Sequence, residues 1–457
     1  MQYRTLAFQD ADRYNKKLAR SLNLLTTILI HAEQYDRALI EAYKAVKLYK
    51  TLIRTDSSLL SEYLRALRLN LTAAELLNDA KRSIQTSEYI VGLYCELVKT
   101  FPDQEWNLAD AAILHSRILA MHDRLPEAIR CNQEVIEWYQ SHPAQDIDST
   151  ARYLLCLMEQ GSAWDRSGHS DRALELIQQT VVVGKPYSFD SPIVASYTVG
   201  AMCHAGHLKC DLGHYDDAVV TSLEALDFAR KVTLANIVDL VRSLQVAARS
   251  HRLSKKPDKV IEFMKDAIEI HQSDKMISIS KTIRTNLITL PQCIIALSGG
   301  LADTGDEAGA LVHAREAVSA ALKLKTEPVL PWSAVEETYM LTLLNLSLRL
   351  LANDTPLIGL DHVAQVKEFY RKRLEKRNAD HIAYAAVIRT HAIFHCALGR
   401  HDEGIALKTE FMELHKRLKL IFPSLANLVD IDWAGEIARQ SWVSILSKLE
   451  CHHQDQN

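Results

Sequence analysis

The densest group of potentially reactive side chains is Cys203-His204-Ala205-Gly206-His207-Leu208-Lys209-Cys210. Cys203, His207 and Cys210 are spaced four and three residues apart, which puts them on one face of a helix. Thiolate and imidazole are ligands that zinc favours, and a fourth ligand from another helix would close a tetrahedral site. The alternative is two cysteines acting as small buried hydrophobes in a core helix, with His207 turned to an open groove. That reading needs no missing ligand, so no metal is predicted. Cys451-His452-His453 reads as part of a polar end. Glu368–Arg377, EFYRKRLEKR, is locally basic and could meet phosphate or an acidic partner, but it reads more simply as a solvated helix face.

Other chemistry finds no support. The sequence has no GxxxxGK[ST] phosphate loop, no GxGxxG after a strand, no HExxH and no GxSxG. No catalytic residue and no cofactor are predicted.

The elements that carry these residues repeat. Ala205–Arg230 reads as the end of one amphipathic helix, a turn at Leu212-Gly213-His214, and a second helix opened by Asp216-Asp217. Gly213 suits the helix end because it tolerates positive φ. Counting back from Ala218 in steps of 45 gives Ala173, Ala128, Ser83 and Ala38. The next column is Leu39, Ile84, Ile129, Leu174 and Val219, and a third is Val46, Val91, Ile136, Val181 and Leu226. A fixed period between 20 and 50 residues with a helix–turn–helix inside it predicts a solenoid.

Five units follow from that register: Asn15–Ile53, Ser58 to about Thr100, Trp106–His142, Thr150–Gly184 and Ile193–Lys231. The period then loosens, with Val260, Ala310 and Gly404 as equivalents of Ala218 and a degenerate unit near Leu357, within Trp332–Lys376. About nine units result. The extra residues before Ala310 are expected to lengthen the connection around Ser273–Ile279, and a C-terminal capping helix is expected over about Ser424–Leu449. Tyr3-Arg4-Thr5-Leu6 matches Tyr49-Lys50-Thr51-Leu52, which closes a unit. The chain is thus expected to begin partway through a repeat, with a short helical cap or an upstream continuation. The predicted organisation is regular repeats over 1–253, divergent repeats and the capping helix over 254–449, and a polar tail over 450–457.

The pattern in Leu212–Leu226, with Leu398-Gly399-Arg400-His401 and Gly404, resembles the tetratricopeptide repeat family in a long-helix variety. Leu18-Ala19-Arg20-Ser21-Leu22-Asn23-Leu24 and Ala45-Val46-Lys47-Leu48-Tyr49-Lys50 resemble the tandem repeats of fungal, mushroom-type multi-domain proteins. The resemblance implies an all-α, right-handed superhelix whose first helices line a concave side, and in the fungal group a role in sensing or binding partners. Those proteins often carry an NTPase or protease-like domain upstream, and this sequence has no NTPase motif.

The register shows which side chains point to the concave side. Positions 18, 15, 11 and 7 before the small residue share one face of the first helix. They give Arg20, Asn23, Thr27 and His31, then Arg65, Arg68, Thr72 and Leu76, then Asp110, Ile113, Arg117 and Met121. The fourth and fifth units give Leu155, Met158, Ser162 and Arg166, and Gly200, Cys203, His207 and Asp211. The expected groove is therefore basic near its N-terminal end, with Arg20, Asn23, Arg65, Arg68, Thr72, Arg117, Met158, Arg166 and His207 as candidate peptide contacts. Arginine binds carboxylates through two parallel bonds, and Asn23 could pair with the main chain of an extended peptide. The alternative is that these arginines pair with acids such as Glu62 or Asp110, or face solvent.

Composition bounds the function. In 457 residues, a 48% apolar share supplies a continuous core, and 15 glycines and 11 prolines are few for a sheet protein. A formal charge of −4 gives no general reason to expect nucleic acid or an anionic membrane. Eight scattered cysteines point to a reducing compartment, cytoplasmic or nuclear. The sequence predicts a non-catalytic scaffold, adaptor or sensor that binds a protein or acidic peptide, with self-association as a further option. The rivals are the sensor half of a larger signalling protein, and an enzyme or small-molecule binder with a pocket inside the superhelix, where His207 and Cys203 would be the first residues to examine.

Overall fold

A computed structural model describes residues 11–77, 79–101, 104–142, 146–232, 237–273, 276, 288–325, 332–353, 355–374 and 380–421. Among them are eighteen α-helices and two short 3-10 turns, with no strand. The chain divides into two compact units, Met1–Pro143 and Ala144–Asn457. The first holds α1 (Ala11–His31), α2 (Tyr35–Leu52), α3 (Leu60–Leu76), α4 (Ala80–Thr100), α5 (Glu105–Met121) and α6 (Leu125–Ser141). The second holds α7 (Ile147–Arg166), α8 (Ser170–Gly184), α9 (Pro192–Asp211), α10 (Tyr215–Lys231), α11 (Ile237–Leu253) and α12 (Pro257–Gln272). It continues with α13 (Thr289–Asp303), α14 (Glu307–Leu324), α15 (Trp332–Ala352), α16 (Pro356–Arg371), α17 (Asp380–Ala397) and α18 (His401–Ile421).

The helices pair as hairpins, and in the seven hairpins whose turn residue is described the turn is built the same way. There the residue five places before the register residue takes a positive φ: Glu33 (58°), Asp123 (59°), Gly168 (84°), Gly213 (81°), Lys255 (58°), Gly305 (89°) and Gly399 (72°). The next N–H then reaches back to close the first helix, as in Gln34 N to Leu29 O at 2.9 Å, His214 N to Lys209 O at 2.8 Å and Arg400 N to His395 O at 2.8 Å. This is the Schellman closure, which satisfies carbonyls that a helix end otherwise leaves open. Three of the seven left-handed residues are not glycine, a position that costs about 1–2 kcal/mol for a residue with a Cβ. Helix starts carry their own signals. Asp79 accepts from Arg82 N at 3.1 Å and Asp306 from Gly309 N at 2.9 Å, while Asp146 and Ser149 form a capping box.

Behind each turn the two helices approach closely. The register residue lies opposite the residue twelve places earlier, and both are buried in each hairpin. In two hairpins the contact carries a hydrogen bond: Ser116 Oγ donates to Ala128 O at 2.9 Å and Ser298 Oγ to Ala310 O at 2.8 Å. In the degenerate unit the residue at this place is Gly359, where an added Cβ would sit 2.5 Å from the Phe394 ring and 3.1 Å from Ser347 O. The sequence expectation near Leu357 is thus corrected by two residues, and Leu357 itself is 61% exposed.

Successive helices pack on one another within each unit. Odd-numbered helices also touch the next odd-numbered helix: α1 with α3, α7 with α9, α9 with α11, α11 with α13, and α13 with α15. No pair of even-numbered helices packs comparably among the described residues. The odd helices therefore run on the crowded, inner side. In the first unit the core joins Tyr49, Leu59, Tyr63, Leu67, Leu71 and Ile90. In the second, one cluster joins Leu226, Val241, Leu244, Val260, Phe263, Met264 and Leu297 across three hairpins. The protein is a TPR-like array of helical hairpins. No helix among the described residues is long and apolar enough to cross a membrane. The expected N-terminal tetrad, C-terminal capping helix and polar tail lie outside the described residues, as does most of the connection before α13.

The shared turn makes opposite predictions at two equivalent positions. Gly213 has open space where a Cβ would stand, so Gly213→Ala pays only for φ and lowers stability by about 1–2 kcal/mol. Lys255→Gly relieves the same cost, less the added chain entropy, and raises stability by up to about 1 kcal/mol. Urea midpoints of the two variants against the parent measure both signs.

Candidate peptide-binding surface

Arg20, Asn23, Arg65, Arg68, Thr72 and Arg117 lie in the first unit, and Met158, Arg166 and His207 in the second. In the first unit, α1, α3 and α5 carry the arginines on their outward face, because the opposite face holds the apolar and small residues packed in the core. Arg20 donates from Nε to Glu62 Oε1 at 2.8 Å, with Nη2 at 2.6 Å from the same oxygen. The bonds to Glu62 raise the Arg20 pKa further. Asn23 is buried and gives its Nδ2 to Glu62 O at 3.3 Å. Its amide thus meets a main-chain carbonyl, as a peptide would require, but the carbonyl belongs to α3.

Arg65 and Arg68 are exposed on α3. Arg65 makes no hydrogen bond or ion pair among the described residues. Arg68 reaches the hydroxyl of Tyr94, whose pKa burial raises while Arg68 pulls it back. Thr72 is exposed and donates Oγ1 to Arg68 O at 3.0 Å. Arg117 is exposed and opposes the upward push that burial gives the Glu75 carboxyl. Burial and then Glu62 push the Tyr49 phenol up to about 12, against the pull of Arg20 and Arg65. Arg20 is therefore neutralised locally by Glu62, while Arg65 keeps its positive charge open to solvent.

In the second unit the same register meets a different environment. Met158 is half-buried against Ala173, Ile177, Ala201, Ala205 and Leu208. Arg166 is exposed at the end of α7. His207 accepts at Nδ1 from Arg249 Nη1 at 2.9 Å, and Arg249 Nη2 donates to Asp211 Oδ1 at 2.7 Å. Accepting there requires a neutral ring with its proton on Nε2. Burial, and then Arg249, push the His207 pKa down to about 3. His207 is thus engaged between helices rather than turned alone to an open groove. Cys203 and Cys210 are fully buried and face serines of α11, Ser243 at 3.4 Å and Ser250 at 3.6 Å. Burial pushes the Cys203 thiol up to about 11, which keeps it protonated and disfavours metal binding. No group of three or more ligating side chains gathers among the described residues.

Further arginines were not identified from the sequence. Arg242 stands 3.4 Å from Asp239, whose side chain is 3% exposed. Arg252 makes a two-point contact with Asp303, Nε to Oδ2 at 2.7 Å and Nη2 to Oδ1 at 3.2 Å. Its guanidinium lies over Gly299, where a Cβ would sit 2.8 Å from Nη1. Arg349 is buried and paired with Glu307 at 3.2 Å. The Arg242 pair lies within α11, whereas Arg252–Asp303 joins consecutive odd helices and Arg349–Glu307 joins α15 to α14. Arg242 and Arg249 occupy the same places before Val260 that Arg65 and Thr72 occupy before Ser83. Extending the column past the fifth unit would have found them, but the loosened period hid the register.

Compared by sequence, the chain matches no family model and no curated protein. Compared by structure, it is similar to a Rap protein complexed with Competence and Sporulation Factor, at TM-score 0.52 and 12% identity, over 89% of this chain and 99% of that one. It is similar to the apo form of RapI at TM-score 0.50 and 12% identity, over 68% and 98%. It is also similar to aspartyl phosphate phosphatase F from Bacillus subtilis, at TM-score 0.50 and 13% identity, over 87% and 93%. These likenesses place the fold among TPR-like helical repeat proteins.

The Arg252–Asp303 pair holds the odd helices together, whereas Arg20–Glu62 sits at the surface. Asp303→Ala leaves a buried guanidinium without its partner and costs about 3–5 kcal/mol, read as a lower melting temperature. Arg20→Ala, 55% exposed at the side chain, leaves the melting temperature unchanged.

His207 also sets a pH response. Its folded pKa of about 3 lies below the unfolded value of about 6.5, so the unfolded chain binds more protons. Its contribution is complete above pH 6.5 and is lost as pH falls towards 3. Asp211, raised by burial, acts with the opposite sign. Between pH 7 and 5 the melting temperature therefore falls, and His207→Asn flattens that slope.

Proposed function

We propose that the protein is a non-catalytic, peptide-binding sensor or adaptor, and that α3 of the first unit presents the recognition charge. The observation that carries this reading is the Arg65–Arg68 pair. Both side chains are exposed on the odd helix α3, and Glu62, three residues before Arg65, is held by Arg20. An arginine pair so placed is suited to carboxylates, which a planar guanidinium grips at two points. The Rap likeness supports the reading, since that protein was solved with a bound factor. The occupant we favour is an acidic segment or a C-terminal carboxylate in an extended peptide. Asn23 serves the site by fixing α1 to α3, and Arg117 extends it at α5. In the second unit the exposed Arg166 acts, in this reading, on a separate stretch of partner, while Met158 and His207 serve packing between helices. We place the protein in the cytoplasm or nucleus, which the lack of disulfides among the described cysteines supports.

The test uses a displayed random-peptide library selected on the full chain. Selected peptides are expected to be enriched in Asp and Glu, to bind more weakly as salt rises, and to lose at least tenfold in affinity for Arg65→Glu/Arg68→Glu with an unchanged melting temperature. Peptides that bind parent and variant alike would remove the recognition site from α3.

A further inference from the structure

His391 and His395 stand four residues apart on α17, so their rings project from one face of the helix. Their Nε2 atoms face each other at 3.3 Å, with the ring centroids 4.8 Å apart. With one ring carrying its proton on Nε2, the two nitrogens are within hydrogen-bond distance of each other. Two nitrogens bound at about 2.0–2.1 Å to one tetrahedral ion stand about 3.3–3.4 Å apart. The observed separation already matches that chelate. Both Nδ1 atoms are buried and without a hydrogen-bond partner among the described residues, so no bond to Nδ1 fixes either tautomer. Each ring can carry its proton on Nδ1 and offer a bare Nε2 lone pair.

The surroundings favour the neutral ligand form. Burial, and then the neighbouring His395, push His391 down to about 4, and burial lowers His395 as well. Both rings are half-buried rather than sealed, which leaves an entry path. Glu410 acts on His391 and Glu403 on His395, while Lys367 and Arg400 oppose them. Lys367 is itself bonded to Glu410 at 3.2 Å, so its charge is largely spent there.

We propose that His391 and His395 form a two-histidine site for a divalent transition ion, zinc foremost. With no third ligating group gathered beside them among the described residues, the remaining positions belong to water, or to a donor brought by a partner. Imidazole pairs at this spacing suit zinc, copper and nickel over the harder calcium and magnesium.

The test is equilibrium dialysis of the full chain against zinc, with the parent, His391→Gln and His395→Gln. The three share every other histidine and cysteine, including Cys451, His452 and His453, so their difference isolates the pair. Each variant is expected to bind one equivalent fewer, or to bind that equivalent at least tenfold more weakly. Zinc is also expected to raise the melting temperature of the parent more than that of either variant. Should His391→Gln fail to fold, His395→Gln, at the more open ring, decides alone. Equal stoichiometry and affinity in the folded variants and the parent would overturn the site and leave the pair as packed neutral histidines.

Discussion

The hairpins whose turns are described depend on a close approach of two helices behind a left-handed turn. The first helix must stop, reverse through one residue at positive φ, and return with a small residue against its partner. At Ser116 and Ala128 the approach is close enough for a side-chain hydroxyl to bond the opposite main chain at 2.9 Å. At Gly359 any side chain would strike the Phe394 ring. Larger residues in this column would separate the hairpin, and the next hairpin would lose the surface on which it stacks. The turn is so strongly required that Glu33, Asp123 and Lys255 accept positive φ to make it.

Stacking crowds the odd helices, and crowding decides what their charges can do. A guanidinium on that side must either reach an acid on the neighbouring helix or stand clear of it. In the second unit Arg249, Arg252 and Arg349 take the first course, and Asp211, Asp303 and Glu307 are their partners. Their charges go to cohesion between hairpins. In the first unit Arg65 takes the second course, so its charge stays open to solvent. Within one repeated register, burial therefore separates arginines tied into ion pairs from those left exposed.

The all-α class, the hairpin unit and its small-residue column were legible, because helix periodicity and a recurring period leave traces along the chain. Gly213 and Gly399 announced their turns. Glu33 and Lys255 did not, because long charged side chains give no signal of a left-handed backbone, and Asp123 gave only the weak signal of a short polar side chain. The degenerate unit was expected near Leu357 and begins its register at Gly359, since a weak pattern leaves the alignment loose by a residue or two. Asn23, Arg65 and Arg68 were correctly assigned to odd helices. Whether each was buried, paired or open did not follow from the register.

The sequence alone determined what repeats: the helices, their apolar faces, and the side of the hairpin on which Arg20, Arg65, Arg68 and His207 stand. The tertiary structure alone decided which of them are in use. Arg20 meets Glu62 across 42 residues and Arg249 meets His207 across another 42, roughly one repeat in each case. Such pairs depend on the offset and rotation between stacked hairpins, a shift of a few ångströms that hydrophobic periodicity does not encode. The two-histidine pair on α17 shows the same division. Its spacing is plain in the sequence, but the 3.3 Å between its nitrogens comes from rotamers that packing selects.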